Sequence, residues 1–459
     1  MNKIHASLSE AVGSSGLKNG MTISVHHHLR EGDRVLENVL QTIKAMKIGN
    51  LTLAATSLMR NHDYLVEYLQ DGTIRALQTS GLRGRLGEYV ASGALEDPVI
   101  IRSHGGRARA LSTGALQVDV AFIAASCTDE WGNANGVEGK SAFGSLGYGM
   151  WEARHAKYRV IVTDTLSHQI LSHISIAQSD TDSIALLESI GSPEMVQSGS
   201  LAPRIDSLSK QIAHHVVQFL LHSGINLDQA SVQMGSGGIS LQVTRYLRTL
   251  LQKNQWKLKC AIGGITQDWV DMLKEEQVGA LMDVQSFDPV CAVSIFQNKN
   301  HHEVDANTYA NPLNKFNLVN SLDVGILSAL EIDLDWNVNV LTGSDGRLMG
   351  AIGGHQDVAE GAKVTIVVAP LIRKRIPILV EKVHTLVTRG DHVDVWINDW
   401  GVCLKNDDSF FHHRLKKKGV PVYSMEDLYH KAIKLVGTPQ KPPKIGSSLF
   451  VEGRWGKQA

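Results

Sequence analysis

Cysteine is scarce: the 459 residues hold four, Cys127, Cys260, Cys291 and Cys403. They lie far apart, with no Cys-x-x-Cys or Cys-x-His spacing, which argues against a disulfide framework and predicts reduced thiols in the cytosol. An excess of one charge is also missing. Lys plus Arg number 45 and Asp plus Glu 46, so no global field exists to hold nucleic acid or an anionic membrane surface, and any anionic ligand must be held locally. The N-terminus lacks a hydrophobic signal core, and the most apolar later run, Val364 to Val380, is cut by Arg373, Lys374, Arg375 and Pro377. The expectation is a cytoplasmic chain with no targeting or membrane-spanning segment. No Walker A loop, no Gly-x-Ser-x-Gly elbow and no His-Glu-x-x-His pattern occurs, and no metal site is expected.

What is present describes an ordinary globular protein, 43% hydrophobic and 20% charged. Single cores stop growing at roughly 250 to 300 residues, so the chain should form two domains. Apolar runs at Met21 to Val25, Leu51 to Ala55, Val99 to Ile101, Val118 to Ala124 and Arg159 to Thr163 alternate with helix-like stretches. The rhythm returns at Ala230 to Met234, Lys257 to Ile262, Leu322 to Leu327, Val364 to Val368 and Val393 to Ile397. Such alternation predicts βαβ units and mostly parallel sheets, one in each half. Between them Ser189 to Arg204, rich in Gly, Ser and Pro, reads as a linker or long loop, followed by an amphipathic helix carrying Ile205, Leu208, Ile212, Val216 and Phe219 and ended by Gly224. The predicted domains are 1–205 and 206–459.

An internal echo supports duplication. Asp119-Val-Ala-Phe-Ile is followed by Trp131, Asn133 and Asn135, and Asp323-Val-Gly-Ile-Leu by Trp336, Asn337 and Asn339; the Asn residues stand at the same offsets. Both copies then run into a Gly-rich segment, Gly144 to Gly149 and Gly350 to Gly354. The two copies are expected to face each other across a cleft.

Gly-rich loops at strand ends are the main chemical feature: Ser103-His-Gly105-Gly106-Arg107, Gly132-Asn133-Ala-Asn135-Gly136, Gly235-Ser-Gly237-Gly238 and Gly353-Gly354-His355. Such loops bring backbone N–H groups close to a phosphate or a developing oxyanion, and single ones are also common structural turns. His26, His27, His28 and Arg30 follow the first strand, where alternation of side chains points at least one His at the strand-end cleft, as a carboxylate site or a structural feature. Arg83 and Arg107, beside Gly84 and Gly106, can offer a planar fork to a carboxylate or simply be solvated. The paired histidines elsewhere read as surface residues, and Glu130 and Glu331 are carboxylates beside the two Asn-x-Asn loops. A nicotinamide site suggested by the Gly235 loop lacks the acidic residue that would hold the ribose: Asn254 and Gln255 lie there.

Several stretches together resemble the α subunits of citrate lyase: Val25-His-His-His-Leu-Arg-Glu-Gly-Asp33, Thr79-Ser-Gly-Leu-Arg-Gly84, Ser103-His-Gly-Gly-Arg107, Glu130-Trp-Gly-Asn-Ala-Asn-Gly136, Ala261-Ile-Gly-Gly-Ile-Thr266, Asp283-Val-Gln-Ser-Phe-Asp288, Asn337-Val-Asn-Val-Leu-Thr-Gly-Ser-Asp-Gly346 and Gly353-Gly-His355. The resemblance runs in order from about Ser7 to about Leu435. It implies an α/β fold of two tandem CoA-transferase-type open domains with the active site in the cleft between them. It further implies exchange of acetyl for citryl on an acyl-carrier thioester, with no covalently bound cofactor. The thiol is CoA or a dephospho-CoA-derived arm on a carrier subunit, and the partners are citrate, that carrier (γ) subunit and a lyase (β) subunit in an oligomer. Many CoA-transferases carry a glutamate nucleophile where Gly263-Gly264 stand here, which implies direct attack of citrate on the thioester through a mixed anhydride. On this reading Gly105, Gly106, Gly263, Gly264 and Glu331 are the catalytic candidates. The Gly and Asn residues of the Gly132, Gly235, Asn337 and Gly353 loops hold the thioester, and His26, His27, His28, Arg30, Arg83, Arg107 and His355 hold citrate. Competing expectations are transfer to or hydrolysis of another acid's thioester, such as citramalate, and a noncatalytic scaffold.

Overall fold

The computed structural model describes residues 3–197, 206–235, 237–406, 410–438 and 449–457. Its architecture is two nine-stranded sheets flanked by helices. The first runs, edge to edge, through Ile4–His5, Ser183–Leu186, Tyr158–Thr163, Val120–Ala125, Thr22–Val25, Leu51–Ala55, Ile74–Thr79, Val99–Ile101 and Leu449–Val451, and every pair is parallel. The second runs through His301–Glu303, Val278–Ser286, Leu258–Ile265, Ser231–Met234, Val324–Ser328, Val364–Val368, Val395–Ile397, Val402–Leu404 and Val422–Tyr423. Only the pairing of Val395–Ile397 with Val402–Leu404 is antiparallel. Parallel strands covered by helices are buried on both faces, which is why Val120–Ala125 and the last four residues of Val364–Val368 have no exposed side.

The order of the central strands repeats, with Thr22–Val25 and Ser231–Met234 in equivalent places. The echoed aspartates do the same work in each half. Asp119 accepts the Thr22 amide and the Lys157 ammonium, each at 2.8 Å; Asp323 accepts the Ser231 amide and the Lys363 ammonium, also at 2.8 Å. The helix read after the linker is Ser207–His222, capped by Asp206 and followed by Gly224 at φ 91°. Residues 198–205, which contain the end of the predicted linker and the predicted domain boundary at 205, lie outside the described residues. One strand departs from the expected division of the chain: Leu449–Val451 adds to the first sheet, not the second.

Each half has its own apolar core, and a third buried cluster joins them, in which Ala108 and Tyr148 of the first half meet Ile262, Val284, Tyr309, Leu327 and Val358 of the second. The halves also exchange their Gly-rich loops. Gly144 and Gly147 lie so close to Ser286, Val284 and Val304 that an added Cβ would overlap them, and the Ser145 amide donates to Ser286 Oγ at 3.0 Å. Reciprocally, the Ile352 amide donates to the Ser80 carbonyl at 2.8 Å and the His104 amide to the Gly353 carbonyl at 2.9 Å. The carboxyl ends of both sheets are thereby locked over one interface.

Candidate functional site

At this interface the strand Thr22–Val25 delivers three consecutive histidines into the protein interior; His26, His27 and His28 are all buried. Burial in an apolar setting is the main cause holding each of them well below the usual histidine range, so they are neutral imidazoles. The His27 amide bonds Thr56 Oγ1 at 3.0 Å. Neither ring nitrogen of His26 or His28 has a hydrogen-bond partner among the described residues. His104 opens the helix His104–Thr113, and its pKa is lowered to about 3, by burial first and then by the Arg107 charge. Between these rings stands Tyr148, centred 4.4 Å from His104 and 5.5 Å from His27. Burial raises the Tyr148 phenol well above its usual range, so it stays a proton donor.

Arg30 is the most unusual residue here. It is 4% exposed and stands at φ 52°, a left-handed conformation that a side chain with a Cβ adopts at a cost. Its guanidinium lies 5.0 Å from the centre of the Phe287 ring, brought from the other half. It forms no ion pair with any described residue, and burial together with the nearby Arg83 lowers its pKa to about 10, which leaves it charged at neutral pH. Arg83, half-buried, also has no carboxylate bound to it, and its Nε has no partner, among the described residues. Two cations that no carboxylate ion-pairs among the described residues, with Glu31 the nearby negative charge, make a receptor for an anion at this interface.

The second half contributes Gln233, Gln285 and Tyr309. Gln285 donates to the His27 carbonyl at 3.0 Å and Gln233 to the Tyr309 hydroxyl at 2.7 Å, and the Oε1 of each glutamine has no partner. Gly263 stands at φ 103°, and a Cβ there would come within 2.7 Å of Gln233; a Cβ on Gly264 would overlap the Phe287 ring. Gln233 and Phe287 thus occupy the positions where side chains on Gly263 and Gly264 would stand, and no glutamate nucleophile is present there.

Other predicted residues prove to be engaged elsewhere. The Gly105 amide donates to Asp357 Oδ2 and the Gly106 amide to Ser103 Oγ, each at 2.9 Å, so neither is a free oxyanion donor. Arg107 forms a buried ion pair with Glu152 at 2.8 Å and also donates to the Ala54 carbonyl. His355 bonds Thr388 Oγ1 at 2.7 Å and the Ser328 carbonyl at 3.0 Å. Glu331 accepts from Asn339 and from the His384 amide, and orients a loop. The Asn-x-Asn segments are built alike: Asn133 and Asn337 bond Asp129 and Asp333, while Asn135 and Asn339 each accept two amides of their own turn. They hold up the two exchanged loops and offer no free amide to a ligand. Gly132 closes one of these turns at φ 103°, and Gly136 packs on Gly144. Gly235 lines a crevice with Gly264, Thr266 and Phe287; Gly237 caps, and Gly238 begins, the helix Gly238–Asn254. Ser236 lies outside the described residues. Gly353 and Gly354 pack against His104 and Tyr309.

Sequence reasoning passed over His104, Tyr148, Gln233, Gln285, Phe287 and Asp357. An aromatic set between two glycines, Gly147-Tyr148-Gly149, was the one signal available for Tyr148. Asp357 has none: its role depends on capping a helix of the other half, where it accepts from Ser103 Oγ at 2.9 Å and faces Arg454 Nε at 3.4 Å. Burial outweighs these contacts and raises its pKa to about 6. Among the described residues no cluster of His, Cys, Asp or Glu could hold a metal ion, and no helix is long and apolar enough to cross a membrane.

The family profile described as "Citrate lyase, alpha subunit" matches residues 1–445. The citrate lyase alpha chain of Klebsiella pneumoniae is 44% identical over 438 residues, spanning 95% of this chain and 86% of that one. That of Haemophilus influenzae is 43% identical over 439 residues, spanning 96% and 88%. A crystal structure described as that of an α subunit of citrate lyase from Streptococcus mutans, in complex with citrate, superposes with a TM-score of 0.95 at 42% identity, covering 100% of this chain and 90% of that one. The malonate decarboxylase α subunit of Acinetobacter baumannii shares the fold at a TM-score of 0.68 and 12% identity, covering 96% and 94%. With a family profile matched over residues 1–445 and these extents of identity, the chain belongs to the citrate lyase α subunit family.

Proposed function

We propose that this chain is a citrate CoA-transferase, exchanging acetyl for citryl on a CoA-like thioester. The observation that carries the reading is the pair Arg30, buried, and Arg83, half-buried, two cations without bound carboxylates among the described residues at the interface of the two lobes. A tricarboxylate supplies the missing negative charge. One citrate carboxylate attacks the acetyl thioester carbonyl and the thiolate leaves, giving a mixed anhydride; the thiolate then attacks the citryl carbonyl and acetate departs. No proton is gained or lost overall, which suits a site whose histidines are neutral. Tyr148, held as a phenol between His27 and His104, is placed to donate to the developing oxyanion, a contribution typically of about a hundredfold or more in rate. Holding both reactants at one interface supplies much of the rest.

The same reading has the thiol borne by CoA or by the dephospho-CoA-derived arm of a small carrier (γ) subunit, lying along the Gly235–Gly238 loop, and a β subunit cleaving the citryl thioester in a cytoplasmic complex. It treats 1–205 and 206–459 as the two lobes, with the last strand returned to the first. The test is citrate-dependent release of acetate from acetyl-CoA with formation of citryl-CoA. Acetate release that needs no citrate would mark a hydrolase instead, and a preference for citramalate would reassign the acid. A scaffold would release nothing.

A further inference from the structure

The two halves differ at one point of the fold. In the first, Asp164 and Thr165 alone join the strand Tyr158–Thr163 to Leu166–Ser167, which pairs with Cys127–Asp129. In the second, the equivalent connection, from Val364–Val368 to Leu379–Val380, is the whole of 369–378. The added residues form a hairpin in which Ile372 pairs with Pro377 and Arg373 with Ile376. The duplicated fold closes without it in the first half, so its presence needs another reason.

The hairpin displays charge. Lys374 and Arg375 at its tip are exposed and form no ion pair with any described residue. Lys374 stands at φ 59°, in a region where glycine or asparagine is favoured. Glu381 accepts from the Tyr429 hydroxyl at 3.1 Å and Asp399 from the Leu371 amide at 2.7 Å, and neither forms an ion pair with the tip. Its position is also informative. Arg373 donates to the Ala329 carbonyl at 3.3 Å, and the preceding Ser328 has its hydroxyl 3.4 Å from that of Ser240 and 3.5 Å from where a Cβ on Gly237 would stand. The hairpin is therefore rooted next to the Gly235–Gly238 loop.

We propose that the Lys374–Arg375 tip is the docking point for an acidic protein surface, that of the carrier which brings the thioester arm to this loop. The inference rests on the transferase reading above. Exposed unpaired cations at a site's rim steer an oppositely charged partner and set its encounter, with an effect that fades as salt screens it. In a chain of net charge −1 this attraction is local to the hairpin.

The experiment compares the full chain with the double variant K374E/R375E, using acetyl-CoA and then the acetylated carrier subunit as donor, at low and at high salt. The expected result is a KM for the carrier-linked donor raised at least tenfold at low salt, less so at high salt, with kcat and the KM for acetyl-CoA within twofold of the parent. Calorimetric titration of the carrier into each chain should show the same loss, and this readout holds even if citrate exchange fails and the transferase reading falls. An unchanged carrier KM and carrier affinity would overturn the proposal. So would an equal rise for both donors, which would place the contact on phosphates of the arm and not on the protein bearing it.

Discussion

The Arg30 side chain combines three features: a left-handed backbone, the face of Phe287 and no ion-paired carboxylate among the described residues, with Glu31 the nearby negative charge. A lysine cannot stack as a plane or offer two parallel donors, so Arg30→Lys should raise the KM for citrate more than tenfold while the urea midpoint stays near that of the parent. An unchanged citrate KM would remove Arg30 from the site. Arg107→Ala should do the opposite kind of damage: Glu152, 1% exposed, would be left with an unpaired charge, and unfolding measurements should show a loss of about 3–5 kcal/mol. The contrast bears on what was readable in advance. His26, His27, His28, Arg30 and Arg83 were legible because they crowd a strand end or a glycine-flanked turn. Arg107, His355 and the Asn-x-Asn amides carried the same residue types but have partners in the fold, and a sequence names a donor without naming what it donates to. Gln233 was not legible, and Gln285 and Phe287 showed only as members of the Asp283–Asp288 motif without a role, since all three acquire meaning only when the second half is folded onto the first.

Strands buried on both faces announce themselves, and Leu51–Ala55, Val99–Ile101 and Val364–Val368 fall where their apolar runs place them. Val278–Ser286 is harder to see because Asp283 and Gln285 interrupt the run with side chains that serve the interface, Asp283 to His301 and Ser286, Gln285 to His27. Leu449–Val451 is three residues long, too short for any period to show. Just beyond it, Arg454 is buried, facing Asp357 and donating to the Ala310 carbonyl at 3.3 Å. That contact holds the carboxylate which caps the helix carrying His104. Arg454→Ala should therefore push the Asp357 pKa above its present value of about 6, and the acid limb of the exchange rate should move to higher pH as the cap loses its charge. A rate that falls without any change in the pH profile would reduce Arg454 to a packing role.

Taken as one molecule, the protein keeps at least five imidazoles neutral in its interior: His26, His27, His28, His104 and His355 all lie below the ordinary histidine value of 6.5, the last at about 4. A histidine with a depressed folded pKa lends stability that is complete above 6.5 and is lost as pH falls toward the folded value, because only the unfolded chain takes up the proton. Each should cost about 1.4 kcal/mol per pH unit across that window. Asp357 works the other way: its raised pKa favours the fold below 3.8 and this help is gone by about pH 6, so acidification restores a single proton's worth against five. Urea midpoints measured at pH 7.5, 6 and 5 should fall steeply, and a flat series would contradict the buried neutral set. The Leu449–Val451 strand adds a matter of timing. It covers the open edge at Val99–Ile101, and Glu452 reaches Arg102 across 350 residues of chain. During synthesis, the first lobe must wait with a bare row of peptide groups until the second has been made, a window in which neighbouring nascent chains can pair through it.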